Sequence, residues 1–195
     1  MQMGMESAAF SLASIVVGWI GTTALAAHQV MLTISQLGYM VYYGIGAAAA
    51  VRISNAMGQH DYLAARGNAY AAFQIVLMIA VVVGAVMFGF RNNIGALFTP
   101  NDTVAHLVSL TIWPFLIYQL GDAMQIVFGN SLRGLSYVRP LVLYAFIAFF
   151  VVSLPLSYLF GITLQFGLVG VWFSFPFGLT TSGCLYLMTF RKRLF

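Results

Sequence analysis

Residues 116–133 read LIYQLGDAMQIVFGNSLR, and the aspartate in their middle, Asp122, stands inside a run apolar enough to cross a bilayer. A carboxylate at membrane depth is costly and faces a protein interior or a wet cavity, so its position marks a functional site. Tyr118 precedes it by one helical turn and Gln125 follows by nearly one, so a helix sets all three on one side. Gly121 and Gly129 leave room for a neighbouring backbone or for water. The plainer alternative is an acid buried for structure alone and satisfied by a polar neighbour.

Composition sets the class around this stretch. The chain is 62% hydrophobic and 6% charged, against about 25% charged residues in soluble domains. Its 195 residues cannot build a core large enough to bury that much apolar surface in water. An all-α polytopic membrane protein is expected. The single cysteine, Cys184, excludes a disulfide framework within the chain and a cysteine-based metal site. The net charge of +4 is no nucleic-acid footprint, because the basic residues gather at helix ends, where they orient the protein.

Outward from Asp122, six spans are predicted, at about residues 3–20, 24–55, 68–90, 103–132, 140–162 and 168–190. Gly21-Thr22-Thr23 reads as a tight turn. Asp61 is expected to cap the helix that begins YLAAR. Arg91-Asn92-Asn93 should end the third span, with IGALF a short amphipathic piece at the interface. The second span exceeds what a bilayer requires, which predicts tilt, a bend near Gly44 and Gly46, or a protruding end. Pro114, Pro155 and Pro176 fall inside the last three spans, where they should kink helices and free backbone carbonyls. The first span is barely long enough and lacks a basic flank or a cleavage pattern, so it does not read as a signal peptide. It reads as cut at its beginning.

With six spans, seven of the eight basic residues fall on one side and only Arg91 on the other. The positive-inside rule then predicts that both termini are cytoplasmic. Asp122 should stand about 15 Å above the cytoplasmic end of its helix in a core about 30 Å thick. Glu6 should lie about 9 Å above the same edge, so the two acids can share a level. Two carboxylates on separate helices suit a site that takes a cation or a proton and returns it. With a phenol and amide oxygens they form a hard ligand set, suited to Na⁺ or H⁺ rather than a transition metal. A glutamate left near water at the chain's beginning is the alternative for Glu6.

Four stretches carry a resemblance to a known family: GTTALAAHQV at residues 21–30, AVRISNAMGQHDYLAAR at 50–66, DAMQIVFGNSLRG at 122–134 and GLVGVWFSFPFG at 167–178. In this order and spacing the chain resembles the C-terminal six-helix lobe of the multidrug and toxic compound extrusion (MATE) transporters. The resemblance covers nearly the whole chain. It implies a fold of twelve helices in two six-helix lobes, and export of drugs or toxic organic cations against Na⁺ or H⁺ uptake, in a bacterial inner (plasma) membrane. It implies that Glu6 and Asp122 bind the coupling cation, that Tyr118 assists, and that Gln29 and Gln36 belong to a polar stripe facing the central cavity. Gln29 reads equally as a helix-end or interface residue, and Gln125 is a further cavity candidate.

The expected partners are the lipid bilayer, small organic cations or amphipathic drugs, and a second lobe or a self-paired copy, because no N-terminal lobe is present. No cofactor is expected beyond the coupling ion.

Other residues and classes are weaker. His28 reads as a proton relay or, more plainly, a capping or packing group. His60 and His106 fall on opposite sides of the membrane. No His-Glu-x-x-His motif and no nucleophile with a base at matching depth appears, so an intramembrane enzyme is not expected. A flippase for lipid-linked or polysaccharide cargo is the nearer rival, but no Lys or Arg lies mid-membrane to meet an anionic substrate. A fragment that inserts and transports nothing is the third reading.

Overall fold

The computed structural model describes residues 2–194, which fold into helices. Helix α1 (Gln2–Ile20) and helix α2 (Thr22–Gly58) are separated by Gly21 alone, at φ +149°, a backbone conformation that side chains disfavour. The break is therefore one residue rather than a three-residue turn, and both threonines enter α2. Helix α2 runs unbroken through Gly44 and Gly46 for 37 residues. Gly46 serves a close approach: a Cβ there would lie 2.8 Å from Asn130 Nδ2.

Helix α3 (Tyr62–Gly89) starts where the Asp61 side chain accepts from the Ala64 N–H at 2.9 Å, satisfying one of the donors a helix start leaves open. Arg91-Asn92-Asn93 open helix α4 (Arg91–Phe98) instead of ending α3, because Phe90 alone makes the break. Helix α5 (Asp102–Gly134) carries Asp122 and is capped by Asn101, whose Oδ1 accepts from Thr103 and Val104 N–H groups. Helix α6 (Arg139–Thr163) widens into π turns at Ile147–Ser153 and Leu159–Thr163, on either side of the segment holding Pro155. Proline has no N–H for the carbonyl four residues back, and a widened turn absorbs the misfit. Helix α7 (Gly167–Leu194) closes with Arg191, Lys192 and Arg193.

Among the described residues, α3, α5, α6 and α7 are long and apolar enough to cross a membrane. Helix α1 holds a shorter apolar stretch, Gly4–Ile20, while α2 is long and more polar. The surface is apolar, with Trp19, Leu37, Met78 and Val82 among the exposed side chains. That surface suits lipid.

Helix α5 is the axis, packed on α2, α3, α4 and α7. Small residues let it come close, as membrane helices require when lipid offers no hydrophobic drive to association. A Cβ on Gly134 would lie 2.6 Å from the Ala50 carbonyl oxygen, and one on Gly121 3.0 Å from Leu179 Cβ. From α7, a Cβ on Gly183 would lie 3.2 Å from the Gln125 backbone nitrogen. At the centre of the largest core cluster sits the fully buried Trp172. Its ring meets Phe175 at 5.3 Å, Tyr118 at 5.6 Å and Phe115 at 5.9 Å between centroids.

Candidate functional site

Two helices supply the acids. Helix α1 brings Glu6, and α5 brings Tyr118, Asp122 and Gln125 on its inward side, where they are 5%, 2% and 2% exposed. The Gln125 amide donates from Nε2 to Glu6 Oε1 at 2.8 Å, across the α1–α5 boundary. With its N–H₂ turned to the carboxylate, the amide keeps Oε1 buried and without a donor. Burying such an acceptor unpaired costs about 1–3 kcal/mol, so it is open to a hydrogen-bond donor or a cation. The Glu6 charge also acts on Asp122 through space.

Glu6 and Tyr118 line an open cavity of about 470 Å³ with Ser35, Gln36 and Tyr39 of α2. Of the sequence-predicted residues, Glu6, Tyr118 and Gln36 share the wall of the open cavity, Gln125 bonds to Glu6, and Asp122 is buried on α5 outside that cavity, within reach of the Glu6 charge. Gln29 is exposed nearer the start of α2 and is not part of that wall. Gln125 turns to Glu6 rather than to the open cavity. A second, narrow space runs from Glu6 and Gln125 toward Asn130 and Arg133 at the end of α5.

The donor set is two carboxylates, a phenol and an amide oxygen. Acceptors outnumber donors, which fits a proton or a small hard cation such as Na⁺. Among the described residues there is no group of three His, Cys, Asp or Glu side chains able to hold a metal ion.

His28 lies elsewhere, fully buried between α1 and α7. Trp172 Nε1 donates to its Nδ1 at 3.1 Å, and its Nε2 lies 3.1 Å from Ser14 Oγ. An indole N–H can only donate, so Nδ1 is the bare nitrogen and Nε2 carries the proton toward Ser14. The Ser14 hydroxyl donates in turn to the Phe10 carbonyl at 3.0 Å. Every polar group in the chain of contacts is satisfied, as a packing role requires. Trp172 is 144 positions away, and nothing local to His28 announces it.

The MatE family model matches residues 1–159 of the chain. The chain belongs to the MatE family. Members of this family are transporters, not enzymes. A probable multidrug resistance protein NorM of Bradyrhizobium diazoefficiens is 33% identical over 192 residues, which are 96% of this chain and 41% of that protein. The multidrug resistance protein MdtK of Proteus mirabilis is 33% identical over 184 residues, covering 92% of this chain and 40% of the relative. The chain thus spans about two fifths of the length of these MatE relatives. Among solved structures, the eukaryotic MATE transporter AtDTX14 superposes with a TM-score of 0.86 over 96% of this chain and 45% of its own, at 21% identity. At that identity the likeness speaks for the shared fold. The chain is accordingly a multipass membrane protein of the MatE family.

Proposed function

We propose that this chain forms the C-terminal six-helix lobe of a cation-coupled exporter of drugs or toxic organic cations in the bacterial inner membrane, with both termini cytoplasmic. Glu6 and Asp122 take the coupling ion, Na⁺ or H⁺, and Tyr118 and Gln125 complete its surroundings. The observation that carries this reading is the pairing of a buried Asp122 on α5 with Glu6 of α1, which the Gln125 amide ties to α5 by its 2.8 Å bond. A cation arriving between the acids supplies the missing positive charge. Membrane burial makes that charge count, since opposite charges attract several times more strongly there than in water. The names of the NorM and MdtK relatives support a drug cargo. The open cavity beside Glu6 offers apolar walls in Phe10 and Leu32 for an amphipathic molecule.

Export by alternating access uses two bodies moving about a central site. This lobe is one such body, working with a second lobe or with a copy of itself. The test is ethidium efflux from vesicles under imposed Na⁺ or H⁺ gradients, comparing the unmodified chain with Asp122→Asn. Gradient-driven efflux should fall to background in the variant, and the driving gradient names the ion. Efflux that continues unchanged in Asp122→Asn sinks the site. No efflux from well-inserted unmodified protein means that this chain alone is not the transporting unit.

A further inference from the structure

The sequence places Arg133 at the cytoplasmic end of α5, as an orienting charge. The structure gives it a second position. Its half-buried guanidinium lines the narrow space that also holds Glu6 and Gln125. Arg133 Nη1 donates to Asn130 Oδ1 at 3.0 Å. Asn130 in turn donates from Nδ2 to the Ile126 carbonyl at 2.9 Å and lies against Gly46 of α2, where any side chain would collide with it. Asn130 is therefore held by its own helix and by the neighbouring one, and it aims the arginine. The stacked rings of Tyr39 and Tyr43, 5.7 Å apart, belong to the same space from the α2 side.

We propose that Arg133 is a positioning residue for cation coupling: a built-in counter-charge that faces Glu6 along the narrow space and limits how tightly the site holds its cation. The inference rests on the reading of Glu6 and Asp122 as the cation site. A site made of two buried carboxylates alone would hold a cation too firmly to release it. Arg133 offsets part of that attraction and remains with Glu6 when the cation leaves. Its charge does act on Glu6. The other ionisable groups facing Glu6 are Asp122 on α5, Tyr39 and Tyr43 on α2, and Tyr186 on α7. Among the described residues, Arg133 is the one cation in this group.

Trp172 provides the readout, because its ring touches Tyr118. With Trp19 and Trp113 changed to phenylalanine, its fluorescence is followed in the purified full chain, in detergent, during Na⁺ titration at fixed alkaline pH and proton titration without Na⁺. Asp122→Asn should silence the response. Arg133→Gln should lower the midpoint cation concentration about tenfold, the order expected for removing a unit charge from a partly buried site. Arg133→Lys, which keeps the charge, should return the midpoint to within about threefold of the original. A merely structural arginine would not move the midpoint by its charge. If Asp122→Asn is silent and Arg133→Gln keeps the original midpoint, the inference is overturned while the site stands. Titrations that are silent in the unmodified protein, or indifferent to Asp122→Asn, overturn both. Should Arg133→Gln fail to fold, Asn130→Ala releases the guanidinium from its aim. It should lower the midpoint by about threefold, and an unchanged midpoint counts against the inference in the same way.

Discussion

The proton on His28 faces Ser14 because Trp172 occupies the other nitrogen. Replacing His28 by leucine would leave the Trp172 N–H buried without an acceptor. The expected cost is about 1–3 kcal/mol, read as a lower melting temperature of the detergent-solubilised protein. Trp172→Phe in the same background should return part of that loss, since no orphaned donor remains, and the double-mutant cycle measures the coupling. Strictly additive losses would show that the bond contributes nothing. At this scale the sequence was informative where a residue is chemically out of place. A carboxylate in an apolar run, such as Asp122, identifies itself by its solvation cost. Gln125 beside it does not, because a glutamine is equally at home in a cavity wall or in a bond to an acid. Only the tertiary fold, which brings α1 within a side chain's reach of α5, turns it toward Glu6.

Helices meet here through missing side chains, and the glycines are not equivalent. Gly44 has open space around its would-be Cβ, whereas Gly134 faces the Ala50 carbonyl oxygen at 2.6 Å. Gly134→Ala should therefore force α2 and α5 apart and cost about 1–3 kcal/mol. Gly44→Ala should be neutral or stabilising by up to about 1 kcal/mol, since alanine favours a helix interior. Thermal unfolding of the two variants side by side checks the contrast, and equal melting temperatures would contradict it. The apolar runs and the Asp61 cap were readable as helices and a helix start. The π turns of α6 were not. Pro155 announces a disturbance but not its form, because kinks, widened turns and bound water all relieve the same misfit. Of the tilt, bend or protruding end expected of the long α2, the structure shows a helix unbroken from Thr22 to Gly58, in which Gly46 makes room for Asn130.

Across the whole molecule, charge and apolar length argue together for a fixed orientation. In the orientation proposed above, with both termini cytoplasmic, the α2–α3 turn would face the cytoplasm and α4 the opposite side. In a Cys184→Ser background, cysteine at Gln59 should react with a membrane-impermeant maleimide only after the cytoplasmic face is opened. Cysteine at Asn92 should react in intact cells or spheroplasts. The reverse pattern would overturn the orientation, and labelling of both from one side would remove a span. The family was legible from four separated stretches because each combines small, polar and apolar residues in a set order. What this chain works with was not legible, since it covers about two fifths of the length of its relatives.

The central place of α5 also has a consequence for how the protein is made. Ribosomes deliver α1 and α2 first, so Glu6 and Gly46 are already in the membrane when Gln125 and Asn130 emerge. Helix α7, whose Gly183 backs onto Gln125, is delivered last. Between these moments α5 stands with one polar flank covered and the other waiting. Were contacts to form as the helices emerge, the α2 side of α5 would be covered before α7 closes the other.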